Sequence, residues 1–189
     1  LKAGGNYYVT RSDSAIIAFQ IPEKEAKGFH MVASHDDSPC FKLKENPELT
    51  TGEMYTRLNV EKYGGMIVST WLDRPLSIAG RVYVDTPNGI EQHLIHFDED
   101  LLVIPNLAAH MNREINDYKY AVQSDMCPLL GMGADKEMLR KRIAEQAGVE
   151  VKDILGQDLY LYTRQPGILF GNNKDLLLCP RLDDLECAY

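Results

Sequence analysis

The chain has 189 residues, 44% of them hydrophobic, and its 20 Lys and Arg against 28 Asp and Glu give a net charge of −8. This globular composition excludes a disordered chain, and the acidic balance disfavours nucleic acid as a partner, because neutralising phosphates takes clustered Lys and Arg. No apolar run approaches the roughly 18 residues of a membrane-spanning helix, so no membrane partner is expected. The four cysteines lack Cys-x-x-Cys spacing, which predicts reduced thiols and a cytoplasmic location.

The first third of the chain predicts β structure. Residues 7–10 and 15–20 are short β-prone runs, separated by a stretch with the composition of a turn. Residues 28–34 are almost all apolar or small, which is typical of a strand buried on both faces of a sheet. We expect this strand to end at His35-Asp36-Asp37-Ser38-Pro39, since proline prevents a regular continuation.

The middle of the chain predicts further strands and two helices. Pairs of strands are expected at 55–61 and 66–71 around Gly64-Gly65, and at 81–85 and 91–97 around Asn88-Gly89, with a short apolar run at 101–104. Asn106 is a candidate cap for a helix over residues 107–115. A clearer helix is predicted after Asp135, which caps it; apolar residues repeat at helical spacing until Gly148 ends it.

Strand character returns at residues 158–163 and 174–179, and the latter ends in Pro180-Arg181-Leu182-Asp183-Asp184. The chain therefore leaves a buried sheet for an antiparallel segment with helices and then comes back. This order predicts an α/β domain interrupted by an insertion, with segments 1–65, 66–158 and 159–189.

Carboxylates follow two of the predicted strands, at the place where ligands gather in α/β sheets. His35 offers a nitrogen ligand to a metal such as Zn²⁺, and Asp37 would hold the imidazole N–H from the same side of an extended backbone. Asp183 could bridge two metal ions. The alternative is a simple turn after each strand, in which the Asp side chains cap backbone N–H groups.

Other candidate sites are weaker. His93 and His96 lie three apart in a predicted strand, so they should point to opposite faces and not share a metal. Gly131 and Gly133 resemble half of a dinucleotide-binding loop, and a dinucleotide-binding function would rest on these two glycines alone. The sequence has neither a Gly-Lys-Ser/Thr phosphate loop nor a Gly-x-Ser-x-Gly elbow, which disfavours nucleotide hydrolases and serine hydrolases.

Four segments, taken together and in order, resemble conserved blocks of the M18 family, the aspartyl aminopeptidases. Residues 33–42 are similar to its Ser-His-Thr-Asp-Ser-Pro-Cys block, and residues 104–113 to its Ile-Pro-x-Leu-Ala-x-His helix. A second block covers 60–65 and 69–82, including Trp71-Leu72-Asp73-Arg74, and residues 179–185 match Pro-Arg-Leu-Asp-Asn-Leu. The blocks span nearly the whole chain.

The resemblance implies a two-metal aminopeptidase with Zn²⁺, or Co²⁺ or Mn²⁺, and peptides as substrates. It implies a mixed-sheet α/β catalytic domain, here 1–65 and 159–189, interrupted by an antiparallel β-plus-helix oligomerisation domain, here 66–158. Family members form tetrahedral dodecamers, so a homo-oligomer is expected. By the same resemblance His35 is a metal ligand, Asp37 its orienting catalytic carboxylate, Asp183 the metal bridge, and His110 a substrate-binding residue that reaches a neighbouring subunit's site.

The chain also departs from the family pattern. Asp36, Pro75 and Asp184 stand where Thr, an acidic residue and Asn are usual. Family sequences continue beyond Asp183 with a catalytic Glu, further ligands and a Lys for acidic side chains. We therefore expect the middle portion of an enzyme, inactive by itself, whose preference for acidic or apolar N-terminal residues is open. A non-catalytic assembly or binding module that retains only the fold is the alternative.

Overall fold

The computed structural model describes residues 1–111, 117–183 and 185–188 and divides the chain into two units, Leu1–Ser34 and His35–Tyr189. The first unit contains an antiparallel hairpin of β1 (Asn6–Arg11) and β2 (Ala15–Gln20), in register from Asn6 opposite Gln20 to Arg11 opposite Ala15. Ser12 and Asp13 take positive φ angles in its turn. Both predicted strands of this region are confirmed.

A six-stranded sheet forms the centre of the second unit. Its strands are β3 (Cys40–Thr51), β4 (Tyr55–Tyr63), β5 (Leu76–Thr86), β6 (Gly89–His96), β7 (Leu129–Met132) and β8 (Ile154–Thr163). Their spatial order is β6-β5-β8-β3-β4-β7, and the strand pairings of the described residues are antiparallel throughout. The predicted turn at residues 86–89 is confirmed, since Thr86 pairs with Gly89 across the β5–β6 hairpin.

The core lies on one face of this sheet, because alternate residues of each strand point to the same side. Side chains that are at most 1% exposed come from β3, β4, β5, β6 and β8, and they include Phe41, Leu43, Leu58, Val60, Ile78, Val82, Ile95, Leu159 and Leu161. Strands β5 and β8 approach closely at Gly80, where an added Cβ would lie 2.0 Å from the carbonyl oxygen of Asp158. Glycine is therefore required there by space.

Helix α2 (Met138–Ala147) covers part of the core with Leu139, Ile143 and Ala144. It ends, as predicted, at Gly148, which has a left-handed φ of 70°. Asp135 accepts a hydrogen bond from the backbone N–H of Glu137 at 2.9 Å, just before the helix begins. The described residues also form two single helical turns, α1 (Val122–Asp125) and α3 (Leu185–Ala188), and include short 3-10 helices at Val68–Trp71 and Val151–Asp153. Within the described residues, no helix is both long and apolar enough to cross a membrane.

Strands β9 (Ile168–Phe170) and β10 (Leu176–Leu178) form a separate antiparallel hairpin. The predicted strand at residues 174–179 is confirmed in β10, but all six residues of the hairpin are exposed. An isolated two-stranded hairpin has no second layer against which its apolar side chains can be buried.

Three predicted elements are wrong. Residues 28–34 are not a buried strand, because they pair with none of the described strands, and Phe29 and Val32 are 92% and 98% exposed. Residues 66–71 form a loop and a 3-10 turn, which Thr70 closes by donating its hydroxyl to the carbonyl of Ile67 at 2.7 Å. Residues 107–111 form a loop and a turn instead of a helix start, and residues 112–115 of that predicted helix lie outside the described part.

The domain limits predicted at residues 65 and 158 stay predictions. Residue 65 lies in the loop after β4, and residue 158 lies inside β8, where Asp158 pairs with Arg81 of β5. The second unit joins strands from all three predicted segments, since β3 and β4, β5 to β7, and β8 belong to one sheet. The coarse α/β class is confirmed, in the form of an antiparallel sheet covered by helix α2.

Candidate active site

His35 and Asp37 lie in a segment without regular secondary structure just before β3. The Nδ1 atom of His35 is 2.8 Å from Oδ1 of Asp37, and the same nitrogen is 3.1 Å from the Asp37 backbone carbonyl. A carboxylate on one imidazole nitrogen fixes the tautomer and directs the other nitrogen, Nε2, as a metal-binding histidine requires. The sequence-predicted pair is therefore in contact.

The second oxygen of Asp37 is bound by a residue to which the sequence assigned no role. Tyr63, the last residue of β4, donates its hydroxyl to Oδ2 of Asp37 at 2.6 Å. This hydrogen bond, followed by that of His35, holds the pKa of Asp37 below its ordinary value. The same hydrogen bond raises the pKa of Tyr63 to about 12, so the tyrosine stays a donor at neutral pH.

Cys40 follows closely and pairs with Tyr63 across β3 and β4. Burial, and then the negative charge of Asp37, raise the pKa of the Cys40 thiol to about 11. A thiol in this state is a weak nucleophile and a weak metal ligand, because both roles need the thiolate. Cys40 is therefore a packing residue beside the site.

A cleft of about 470 Å³ opens beside this segment, and three of the four family-like blocks line it. Ser38, Pro39 and Cys40 come from the first block, Thr70, Trp71 and Arg74 from the second, and Pro180, Arg181 and Asp183 from the last. Residues more than a hundred positions apart thus meet in one concave surface. Asp183 is exposed in this cleft.

The remaining block, residues 104–113, is attached to the second block through Asp73. The backbone N–H of Asp73 donates to the carbonyl of Ile104 at 2.9 Å, and the Asp73 carboxylate accepts the N–H of Asn106 at 2.8 Å. Asp73 has a positive φ of 54°, which short polar residues tolerate better than most. His110, four residues beyond Asn106, is exposed in a turn.

The described residues do not bring together a complete set of metal ligands. Residues 1–111, 117–183 and 185–188 contain no cluster of three or more His, Cys, Asp or Glu side chains that could hold a metal ion. The His35–Asp37 pair fits zinc as one ligand with its orienting carboxylate, but a zinc site needs at least three protein ligands. Further donors are required to complete it.

The remaining histidine pair lies elsewhere. His93 contacts the carbonyl of Ala147 at the end of α2, at 3.3 Å, whereas His96 contacts the hydroxyl of Tyr162 on β8, at 2.8 Å. Gly131 is part of β7, where it pairs with Thr56, and does not belong to a phosphate-binding loop.

Tyr63 is the contact that sequence reasoning missed. The available signal was an aromatic hydroxyl at the end of a strand, next to Gly64-Gly65, in a segment that already resembled a family block. Its partner could not be predicted, because 26 residues separate Tyr63 from Asp37 and only the pairing of β3 with β4 brings them together.

Comparison with known proteins gives a consistent result. The profile of the Aminopeptidase I zinc metalloprotease (M18) family matches residues 1–189. The proteins named "Probable M18 family aminopeptidase 2" from Clostridium acetobutylicum and Stutzerimonas stutzeri are each 42% identical over the whole chain, which spans 46% of their length.

Solved structures are similar as well. Chaetomium thermophilum mApe1 superposes with a TM-score of 0.86 and 30% identity, over 100% of this chain and 46% of that one. A chain of the Ape4 and Nbr1 complex gives a TM-score of 0.88 and 32% identity, over 99% of this chain and 40% of its own. Because the family profile matches this chain over residues 1–189, the chain belongs to the Aminopeptidase I zinc metalloprotease (M18) family.

Proposed function

We propose that the protein containing this chain is a zinc aminopeptidase that removes N-terminal residues from peptides. The observation that carries the proposal is the cleft in which three sequence blocks meet, one residue beyond the His35–Asp37 pair. Concave sites with a few polar groups are where ligands generally bind, and a peptide end fits such a cleft.

In this proposal His35 would bind one metal ion through Nε2, while Asp37 holds Nδ1 and so fixes the tautomer and the orientation of the ring. Asp183 lines the cleft and would contribute the carboxylate that two such ions share. Two bound zinc ions would lower the pKa of a water molecule and polarise the scissile carbonyl. Cobalt or manganese can replace zinc with these ligand types.

His110 is proposed to contact substrate by donating a hydrogen bond to the oxygen that gains charge. Such donors contribute about 10²–10³ in rate. We expect His110→Ala in the complete protein to lower kcat by about that factor while the unfolding temperature is unchanged, because the side chain is exposed. An unchanged kcat would exclude this role.

Assembly is part of the proposal. A solved relative is described as the mApe1 dodecamer of S. cerevisiae, with a TM-score of 0.79 and 29% identity over 98% of this chain. We propose a homo-oligomer here too, of dodecameric form, with residues 66–158 as the oligomerisation domain and the remainder catalytic. Free Cys40, Cys127 and Cys179 agree with a cytoplasmic location.

The test uses the complete reading frame that encodes this chain. Purified protein is incubated with peptides that begin with Asp or Leu, and the released amino acid is measured with zinc, after chelation and after zinc is restored. We expect release that chelation abolishes and zinc restores, an undetectable rate for His35→Ala, and a normal rate for His96→Ala, which changes an exposed histidine on β6.

The competing function is a non-catalytic assembly module. It predicts an oligomer that binds no zinc and releases no amino acid under any of these conditions, and that result would replace the enzymatic proposal. The Asp and Leu peptides also decide between acidic and apolar preference. For the isolated 189-residue chain we expect no activity, and two tightly bound zinc ions in a calorimetric titration would contradict this.

A further inference from the structure

The segment that carries His35 has little regular structure of its own. Residues 31–39 form neither helix nor strand, and the side chains of His35 and Asp37 are 59% and 50% exposed. A coil has no ladder of backbone hydrogen bonds to fix its side chains, whereas a metal ligand must be held within about 0.5 Å of its working position. Something beyond the segment must supply that rigidity.

Tyr63 provides a connection to the sheet. Its hydroxyl binds Oδ2 of Asp37 at 2.6 Å, while Oδ1 of the same carboxylate binds His35 at 2.8 Å. Two hydrogen bonds to opposite oxygens fix both the position and the plane of a carboxylate. Because the imidazole is held by that carboxylate, its direction follows from the position of the tyrosine hydroxyl.

Tyr63 is itself held by rigid neighbours. Its backbone pairs with Cys40, and its ring packs edge-on against Tyr160 of β8 at a centroid distance of 5.3 Å. Lys42 lies 5.7 Å over the Tyr160 ring and forms an ion pair with Asp158 at 2.7 Å. A continuous set of contacts thus connects three strands of the sheet to Asp37.

We infer that Tyr63 is a positioning residue for the metal-binding imidazole of His35, acting through Asp37. The inference rests on the proposed function, since it needs His35 to bind a metal. Tyr63 has no contact with substrate in this role, and it serves to keep the coil segment in one arrangement before the metal binds.

The test measures zinc affinity of the complete protein by competition with a chromophoric chelator. We expect Tyr63→Phe to weaken zinc binding about 10- to 100-fold, the usual cost of losing an outer-shell partner. The matched control is Tyr55→Phe, the same change at the opposite end of β4, whose hydroxyl has no hydrogen-bond partner among the described residues. The control should bind zinc like the wild type.

A double-mutant cycle separates positioning from a general loss of structure. If Tyr63 acts through Asp37, adding Tyr63→Phe to Asp37→Ala changes zinc affinity by less than twofold, because the carboxylate it holds is already gone. The inference would be overturned if Tyr63→Phe weakened zinc binding by the same factor in the wild type and in Asp37→Ala. This conclusion would hold even if Tyr63→Phe also lowered the unfolding temperature of the zinc-free protein.

The two proposals fail in different ways. A wild-type protein that binds no zinc overturns the proposed function and this inference with it. A wild-type protein that binds zinc, with Tyr63→Phe binding it as tightly as Tyr55→Phe does, overturns only the role of Tyr63.

Discussion

The six-stranded sheet and residues 28–34 are similarly apolar, yet they differ completely in burial. Phe41 in β3 is fully buried and packs edge-on against Trp71 at a centroid distance of 5.2 Å, whereas Phe29 is 92% exposed. Phe41 lies in a strand that pairs with β4 and β8 and faces a covered side of the sheet. Apolar side chains therefore tend to be buried, but they become buried only where their segment pairs with other strands and faces a covered side of the sheet.

The hairpin β9–β10 is an intermediate case that supports the same lesson. Its strands are paired, yet Leu169 and Leu177, which face each other in the register, are 64% and 56% exposed. Hydrogen bonding between two strands satisfies the backbone, but burial needs a second layer.

The strongest test of this contrast replaces the same residue type in both regions. Phe41→Ala should destabilise the chain by about 3–5 kcal/mol, since it removes a fully buried ring and leaves a cavity. Phe29→Ala should change the free energy of unfolding by less than about 0.5 kcal/mol. Denaturant unfolding of the 189-residue chain measures both, and equal effects would contradict the contrast.

A smaller effect tests how tightly the sheet is packed between its strands. Gly80→Ala should cost about 1–3 kcal/mol, because the new methyl group would lie 2.0 Å from the Asp158 carbonyl oxygen and must push β5 and β8 apart. Gly156→Ala, in β8, is the matched control, since an added Cβ there meets no atom within 4 Å. Thermal unfolding in which both variants behave alike would show that the sheet adapts.

The smallest expected effect concerns the polar face of the same sheet. Asp158 pairs with Lys42 and Arg81, and the hydrogen bond from Lys42 is the main reason that its pKa lies below the ordinary 3.8. A depressed carboxyl pKa stabilises the fold above pH 3.8, and this contribution is lost as the pH falls through the folded-state value.

Asp158→Asn should therefore be less stable than the wild type at pH 7, and the difference should shrink below pH 3.8. The free energy of unfolding is measured at a series of pH values, with Asp85→Asn, an exposed aspartate of β5, as the control. A difference that is constant over the whole range would show that the ion pair contributes nothing that titrates.

Much of the local fold follows directly from the sequence. The β1–β2 hairpin, the Asn88-Gly89 turn and the end of α2 at Gly148 are all correct, because each depends on neighbouring residues. The prediction of a strand at residues 66–71 was wrong, and the reason is again local. The position of these residues after Gly64-Gly65 predicted the second strand of a hairpin, but the hydrogen bond from Thr70 to Ile67 closes a turn instead.

The candidate site was predictable in part. His35 and Asp37 are two residues apart, and their contact at 2.8 Å follows from that spacing alone. The sequence placed Asp37 and Asp183 after two predicted strands and within two family-like blocks, and residues of both blocks, Ser38 and Asp183, line one cleft. The hydrogen bond of Tyr63 had no counterpart in the sequence patterns, because it depends on the relative position of two strands.

The sequence by itself determined the β1–β2 hairpin, the turn at residues 86–89, the end of α2 at Gly148 and the family to which the chain belongs. Each of these depends on residues that are close together in the chain. The tertiary structure alone decided the strand order β6-β5-β8-β3-β4-β7, the exposure of residues 28–34, and the attachment of Asp37 to the sheet through Tyr63. These features depend on which distant segments pair, and pairing is set by the summed burial and hydrogen bonding of the whole sheet.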